Sequence, residues 1–132
     1  MIEKVQVISR KLLTDERGWF FKAITGKEEN LPMHTGEVYL TMGKPGTRKG
    51  GHYHVRASEW FTVIQGSARL RLEDTVTKET REFELSLEKA VSVFVPCGVA
   101  HVFENTGTTD FIVLAYTDVL YDPSDTIAYS FE

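Results

Sequence analysis

The sequence has little cysteine, no long apolar run and no surplus of basic residues. Its single cysteine, Cys97, has no second cysteine to pair with, so the chain has no internal disulfide framework. No stretch of about 18 apolar residues occurs, which excludes a transmembrane helix. The first residues also lack the apolar core of a secretory signal. We therefore expect a cytoplasmic protein with no membrane partner.

The charge balance argues against nucleic acid as a partner. The 19 acidic residues outnumber the 15 basic ones and give a net charge of −4, whereas nucleic-acid-binding proteins usually have a basic surplus. A local cluster of basic side chains can still hold a small phosphate-bearing ligand. The length of 132 residues suits one domain, and we expect a single domain over 1–132.

Short blocks of strand-forming residues, separated by polar or glycine-rich turns, make up most of the chain. The predicted strands span 38–42, 60–65, 68–73, 81–87, 91–95, 101–104 and 111–117. The stretch from Gly43 to Gly51 contains four glycines and a proline and is predicted to be a turn. Such a series of short strands favours an all-β sandwich or barrel. Residues 1–35 are less regular, and we expect one or two strands there, on a sheet edge or against a partner subunit.

Three of the four histidines belong to one pattern. His52 and His54 are two residues apart, and Glu59 follows shortly after them. Side chains two apart on a strand point to the same face. His101 lies on a later predicted strand, and inward-facing side chains from different strands of a small barrel converge. Three imidazoles and one carboxylate are a good donor set for zinc, nickel, iron or manganese.

The spacing of these residues resembles the two signature motifs of the cupin superfamily, over residues 46–105. The first motif contains Gly46, His52, His54, Glu59 and Gly66, and the second contains Pro96, Gly98, His101 and Asn105. The resemblance implies an all-β cupin double-stranded β-helix, or jelly roll. It also implies a divalent metal held by His52, His54, Glu59 and His101. Fold alone does not select a chemistry within this superfamily.

Two further segments are similar to nucleotide-sugar 3,5-epimerases. Residues 15–20 resemble their N-terminal segment, in which the arginine, here Arg17, helps to bind the nucleotide diphosphate. Residues 49–53 resemble the motif that carries their catalytic histidine, here His52. Their catalytic tyrosine has no counterpart, because Leu114 stands at its position. The related 3,4-ketoisomerases usually have glutamine at the position of Glu59.

The resemblance is greatest to the C-terminal cupin domain of bifunctional capsular-polysaccharide enzymes. That domain has an Arg-Gly-Asn-His-Tyr-His block, which here begins at Lys49, and a Pro-Gly-Tyr-Thr-His block, which here begins at Pro96. In those enzymes the domain holds zinc and epimerises a 4-keto-6-deoxy UDP-sugar. The resemblance implies an epimerase or ketoisomerase of a nucleotide-diphosphate 4-keto-6-deoxy sugar, in surface-polysaccharide or deoxysugar biosynthesis. It also implies zinc as the first choice of metal and a homodimer, and a protein that acts either alone or beside a separate reductase as partner.

The chemistry suggested by this resemblance passes through a metal-stabilised enolate, and the base that forms it stays open. If all four ligands bind metal, the base is metal-bound hydroxide, Tyr39 or Tyr116; without metal it is His52. The predicted substrate-binding residues, which could hold a diphosphate by charge-assisted hydrogen bonds, are Arg17, Arg48 and Lys49. Two other functions stay open: an iron-dependent cupin oxygenase, and a non-catalytic sugar-binding cupin.

Overall fold

The computed structural model describes residues 1–16, 18–20, 22–32 and 36–131, with the backbone alone for 18–20. Within these ranges it contains β1 (Gln6–Ser9), β2 (Leu13–Asp15), β3 (Gly18–Phe20), β4 (Val38–Gly43), β5 (Arg48–Tyr53), β6 (Glu59–Gln65), β7 (Ser67–Asp74), β8 (Thr80–Ser86), β9 (Val91–Val95), β10 (Val99–Glu104), β11 (Phe111–Thr117) and β12 (Ile127–Ala128). Short 3-10 helices span Ile2–Lys4, Leu87–Lys89 and Pro123–Asp125. None of the helices in the described ranges has the length and apolar character needed to cross a membrane.

The strands form two five-stranded antiparallel sheets that face each other. We call them the first sheet, in the order β1-β9-β6-β11-β4, and the second sheet, in the order β12-β5-β10-β7-β8. Strands β2 and β3 form a separate hairpin. The predicted all-β jelly roll is confirmed, and each of the seven strands predicted from the sequence is present, with ends that differ by a few residues.

The core lies between the two sheets and follows from residue alternation within the strands. In β7, Ala68, Leu70 and Leu72 are buried, whereas Arg69 and Arg71 point outward. The outward arginines form ion pairs with glutamates on β8. Facing the buried β7 residues are apolar side chains of the first sheet, among them Phe61, Val63, Val93, Phe111 and Val113. Burial of this cluster is the main source of stability.

The glycine-rich stretch forms a strand where the sequence pattern predicted a turn. The turn is limited to residues 44–47, and β5 begins at Arg48. Gly50 and Gly51 both have positive φ, +101° and +81°, and the pairing of β5 with β10 shifts its register there. A Cβ added at Gly50 would lie 3.0 Å from the backbone oxygen of His101. The glycines therefore form a β-bulge against β10 and do not reverse the chain.

The N-terminal part contributes an edge strand to the first sheet. β1 pairs with β9 at the margin of the first sheet. Residues 22–32 lie over the outer face of the same sheet, where Oγ of Ser92 on β9 donates a hydrogen bond to the carbonyl oxygen of Ala23. The predicted contact of residues 1–35 with a partner subunit stays a prediction.

Candidate metal centre and active site

Three histidines meet on the inner face of the second sheet. His52 on β5 and His101 on β10 are directly paired across the two strands, and His54 follows one residue beyond the end of β5. Their ring centroids are 4.8 to 5.6 Å apart. One nitrogen from each ring lies within 4.8 Å of the nitrogens of the others. The predicted convergence of the three histidines is therefore confirmed, and this histidine cluster could hold a metal ion.

Glu59 joins the histidine cluster from the first sheet. Its side chain is 2% exposed, and its Oε1 lies 2.9 Å from Nε2 of His54 and 3.5 Å from Nε2 of His101. Oε1 nevertheless accepts no hydrogen bond of proper geometry from a described residue. A buried carboxylate oxygen without a donor, beside three imidazoles, fits a divalent cation of the zinc type. Two of the three histidines, His54 and His101, are thus direct neighbours of this carboxylate.

The surroundings of the histidines separate their pKa values. Burial lowers the pKa of His101 to about 4, although Glu59 opposes this effect. Burial and the neighbouring His54 also lower the pKa of His52. Burial alone would lower the pKa of His54 as well, but the adjacent carboxylate of Glu59 raises it. His52 and His101 are therefore neutral near neutral pH, the protonation state that a metal ligand requires.

The tautomer of His54 is set by a backbone carbonyl group. Nδ1 of His54 lies 2.9 Å from the carbonyl oxygen of Asp125. A carbonyl oxygen only accepts hydrogen bonds, so Nδ1 carries the hydrogen. The lone pair of Nε2 in the neutral ring then faces Glu59 and the other imidazoles, which is the arrangement expected of a metal ligand.

Tyr39 lies next to Glu59 at the inner face of β4. Its hydroxyl donates a 2.7 Å hydrogen bond to Oε2 of Glu59. Burial, and then the negative charge of Glu59, raise the pKa of Tyr39 above its usual range. Burial would also raise the pKa of Glu59, but His54, His101 and Tyr39 together lower it. The pair is therefore a neutral phenol hydrogen-bonded to an ionised carboxylate.

Two cavities reach the histidine cluster, and both are lined by Tyr39 and His52. The first, which we call the loop-side cavity, has a volume of about 260 Å³ and opens between Glu37 and the segment 117–126. The second, which we call the lysine-side cavity, has a volume of about 180 Å³ and is lined by Lys49, Phe103 and His101. A small ligand in either cavity could therefore contact both Tyr39 and His52.

The bulge in β5 decides which basic side chain faces the histidine cluster. Lys49 is paired with Phe103 and His52 with His101, so Lys49 and His52 share the inner face. Arg48 instead forms an ion pair with Glu104, with 2.8 Å between Nη2 and Oε2, and is 56% exposed. Within the described ranges Lys49 has no ion pair. The predicted phosphate ligand Arg17 lies outside the described residues.

Tyr116 is the candidate catalytic residue that the fold separates from the histidine cluster. It lies on the outer face of β11, where its ring stacks on Trp60 at a centroid distance of 5.6 Å. With Val38 and Leu114 it lines a different cavity, under residues 22–32. The structure therefore brings Tyr39, but not Tyr116, to the histidines and Glu59.

Sequence reasoning missed Asp125 altogether. The run Asp122-Pro123-Ser124-Asp125 is typical of a turn or of the start of a short helix. Nothing in that run indicates that its last residue contacts a histidine 71 positions earlier. Only a tertiary contact reveals this residue.

The jelly roll together with the paired histidine motifs defines the chain as a cupin. Residues 13–129 match the family model of the polysaccharide biosynthesis C-terminal domain, and the chain belongs to this family. The match covers both histidine motifs and the segment that contains Asp125.

Two curated relatives are similar in sequence. The chain is 30% identical over 128 residues to the spore coat polysaccharide biosynthesis protein SpsL of Bacillus subtilis, and the alignment covers 93% of this chain and 84% of that protein. It is 29% identical over 117 residues to UDP-2-acetamido-2,6-beta-L-arabino-hexul-4-ose reductase of Pseudomonas aeruginosa. That alignment covers 89% of this chain but only 30% of the reductase.

Solved structures share the fold. A dTDP sugar isomerase from Desulfovibrio desulfuricans G20 superposes with a TM-score of 0.88, at 19% identity, over 97% of this chain and 85% of that one. A dTDP-6-deoxy-D-glucose-3,5-epimerase from Legionella pneumophila, in complex with dTDP-4-keto-L-rhamnose, superposes with a TM-score of 0.83 at 18% identity. This superposition covers 94% of this chain and 71% of the epimerase. CapF with the inhibitor 3-isopropenyl-tropolone gives 0.69 at 29% identity, over 92% of this chain and 34% of CapF.

Proposed function

We propose that the protein is an epimerase or ketoisomerase of a nucleotide-linked 4-keto-6-deoxy sugar in surface-polysaccharide biosynthesis. The observation that carries the proposal is the histidine cluster beside the Tyr39–Glu59 pair, in cavities that open to the surface. Family membership supports the biosynthetic setting. The sugar isomerase and epimerase structures that share the fold support the reaction type.

The proposed metal ligands are His52, His54 and His101, with Oε1 of Glu59 as the fourth. Zinc is the first choice because three nitrogens and one carboxylate oxygen match its usual donors, with iron, nickel and manganese as alternatives. When bound, the metal would stabilise negative charge on a carbonyl oxygen of the substrate as a Lewis acid. The tropolone inhibitor of CapF supports a metal, because tropolone has adjacent hydroxyl and carbonyl oxygens that chelate divalent ions.

Tyr39 is the proposed proton carrier. The carbon next to the sugar carbonyl loses a proton to the phenolic oxygen of Tyr39, while the phenolic hydrogen passes to Oε2 of Glu59. The electron pair of the broken C–H bond moves into the enolate. Epimerisation is completed when water delivers a proton to the opposite face of the enolate, and Glu59 returns its own proton to solvent through Tyr39. Ketoisomerisation is completed when the relay delivers its proton to the neighbouring carbon, while the hydroxyl proton of the first carbon moves to the former carbonyl oxygen. The 2.7 Å hydrogen bond supports direct transfer between the two groups. Because His52 would bind the metal, it is not free to act as the base in this scheme.

The nucleotide diphosphate is the proposed anionic part of the substrate. Lys49 is the basic residue placed on the inner face beside His52, and its ammonium group could bind a phosphate oxygen. Arg48 is engaged by Glu104, so we assign it the smaller share of binding. Arg17 stays a proposed ligand on the basis of its motif alone.

A homodimer is proposed from the outer face of the first sheet. Three cross-strand pairs join β4 to β11 there: Val38 with Tyr116, Leu40 with Leu114, and Met42 with Ile112. None of the six side chains is charged, and Val38 and Leu40 are 62% and 63% exposed. An exposed apolar patch of this kind marks an interaction surface.

A reductase is the second proposed partner. The relative from Pseudomonas aeruginosa is a reductase, and this chain aligns with only 30% of its length. We therefore also propose a separate reductase as functional partner.

Proton exchange in deuterated water tests the proposed chemistry. The zinc-loaded protein is incubated with UDP- and dTDP-linked 4-keto-6-deoxy sugars, and the ring protons are followed by NMR. We expect loss of one signal beside the keto group, and the carbon that exchanges distinguishes epimerase from ketoisomerase. Tyr39→Phe should stop the exchange, whereas the matched variant Tyr116→Phe should not.

Other outcomes point to the alternative functions. Oxygen uptake by the iron-loaded protein, without proton exchange, would replace the proposal by an oxygenase. Tight binding of a sugar nucleotide without exchange in any metal form would replace it by a sugar-binding cupin.

A further inference from the structure

We propose that Asp125 is a positioning residue for the histidine cluster, one that fixes the ring of His54 and the loop between His54 and Glu59. This inference rests on the proposed metal function of the cluster. Asp125 ends the 3-10 helix Pro123–Asp125, and its side chain is 5% exposed. A buried carboxylate needs partners that compensate for lost hydration, and the partners of Asp125 all belong to the segment that carries His54.

The carboxylate of Asp125 organises the loop that joins two of the proposed ligands. Oδ1 accepts hydrogen bonds from the backbone N–H groups of Val55 and Arg56, at 2.9 and 3.0 Å. Oδ2 accepts one from the N–H group of Ala57 at 3.1 Å. Three consecutive N–H groups outside any strand thus have one side chain as their common partner. The loop conformation between His54 and Glu59 therefore depends on this carboxylate.

The backbone of the same residue orients the His54 ring. The carbonyl oxygen of Asp125 accepts the hydrogen bond from Nδ1 of His54. This contact fixes the Nδ1–H tautomer and aims Nε2 at the histidine cluster. The side chain of Asp125 therefore holds the loop, and its carbonyl group holds the ring of His54, the first residue of that loop. A shift of Asp125 would disturb both the loop and the ring.

The turn that carries Asp125 is itself anchored to β5. Ala128 on β12 is paired with His52, and the backbone N–H of Tyr129 donates to the carbonyl oxygen of Gly51 at 2.9 Å. At the other end of the turn, Oδ1 of Asp122 accepts from the N–H of Ser124. The C-terminal segment 122–129 thus flanks both His52 and His54. Asp125 is its buried contact with the ligand loop, and Asp122 adds an exposed ion pair with Arg56.

The test compares Asp125→Asn and Asp125→Ala with the matched control Asp122→Asn, which makes the same charge change in the same turn. In Asp125→Asn one oxygen remains as acceptor, but the new amide N–H faces the N–H of Ala57. Cobalt(II) serves as probe: its visible spectrum reports ligand geometry, and competition with a chelator gives its affinity. We expect about 10-fold weaker binding for Asn, up to about 100-fold for Ala, and altered spectra. Asp122→Asn loses only an exposed ion pair with Arg56 of the same loop and should therefore match the wild type.

Two further measurements separate positioning from general stability. In a His54→Ala background, Asp125→Asn should weaken cobalt binding less than it does in the wild type, because part of its effect passes through His54. In the metal-free protein, nitrogen-15 NMR at a pH where the histidines are neutral should show the Nδ1–H tautomer of His54. That tautomer should shift towards Nε2–H in both Asp125 variants.

Failure of the role proposed for Asp125 can be told apart from failure of the proposed metal function. If the wild type binds no cobalt, the metal proposal fails, and the His54 tautomer alone then decides whether Asp125 positions that ring. If Asp125→Ala does not fold, Asp125→Asn carries the test. Variants that unfold at lower temperature yet keep cobalt affinity, spectrum and tautomer unchanged would show that Asp125 has only a structural role.

Discussion

The hydroxyl of Tyr39 donates a 2.7 Å hydrogen bond to one oxygen of Glu59, whose other oxygen lies 2.9 Å from Nε2 of His54. One carboxylate thus connects a phenol on β4 with the histidine cluster. The two oxygens of Glu59 have different neighbours, so proton transfer and metal binding can be separated by substitution.

Replacing Tyr39 by Phe removes the phenol but leaves Oε1 of Glu59 beside His54. We expect kcat to fall by about 10²- to 10⁴-fold, the usual contribution of a general acid–base group. Cobalt affinity should fall much less than activity, because no proposed ligand is lost and only a hydrogen bond to Glu59 is removed. Steady-state kinetics and chelator competition measure the two effects. Equal losses of activity in Tyr39→Phe and the control Tyr116→Phe would contradict the assignment.

Lys49→Gln tests the role of the β5 bulge in substrate binding. Because Lys49 shares the inner face with His52, we expect KM for the sugar nucleotide to rise by about 10-fold, with kcat little changed. Arg48→Gln is the matched control, since Arg48 is exposed and paired with Glu104. Its effect on KM should be small. A larger effect from Arg48 than from Lys49 would mean that the phosphate groups bind on the opposite side of β5.

Removal of one imidazole should abolish tight metal binding. We expect His101→Ala to weaken cobalt binding by at least about 100-fold, more than the loss of a residue that only supports a ligand. The cobalt spectrum of the wild type should lack a thiolate charge-transfer band, and Cys97→Ser should not change it. Chelator competition and absorbance measure these effects. Retained affinity in His101→Ala would exclude the histidine cluster as the site.

Glu28 should make the fold sensitive to acid. Burial would raise the pKa of Glu28, but hydrogen bonds from Thr25 and Arg10 outweigh it and lower the pKa from 4.5 to about 2. A carboxyl group whose pKa is lower in the folded state stabilises that state at every pH above its ordinary pKa. This stabilisation is lost as the pH falls from about 5 towards 2. Glu28→Gln should lower the free energy of unfolding by about 1–3 kcal/mol near neutral pH.

The difference between Glu28→Gln and wild type should shrink in acid, because the wild-type carboxylate becomes protonated there. Urea unfolding at several pH values measures it. The neighbouring exposed Glu29, as Glu29→Gln, is the control and should change stability little. A destabilisation of Glu28→Gln that is the same at every pH would contradict the role of its charge.

Leu40→Lys should convert the proposed dimer into a monomer. The substitution places a charge in the uncharged β4–β11 face, and a buried unpaired charge is costly at an interface. Val76→Lys, at a still more exposed position on the β7–β8 hairpin, is the control and should leave the assembly unchanged. Sedimentation equilibrium measures both. A monomeric wild type would remove the proposed interface.

Local pattern was enough to predict most strands and the meeting of the histidines. The alternation from Ala68 to Leu72 indicates one inward face, because a strand turns successive side chains to opposite sides. The same period places His52 and His54 together. His101 could be added because its motif resembles the second half of a known pair of motifs.

Other features depended on contacts between distant segments. Tyr39 and Tyr116 both lie on strands, and only the pairing of β4 with β11 decides that the first faces inward and the second outward. The glycines at 50 and 51 looked like a turn, because positive φ suits a turn as well as a bulge. Their pairing with β10 makes them a bulge, and the bulge turns Lys49 inward.

By itself the sequence determined the all-β class, the strands with clear alternation, and the choice of three histidines and one glutamate as the candidate site. These follow from residue type and short spacing, which are local properties. Tertiary structure alone decided that Tyr39 contacts Glu59, that Tyr116 lies on the outer face, and that Asp125 holds His54. Such contacts join residues far apart in the chain, and no local period indicates which distant groups a fold brings together.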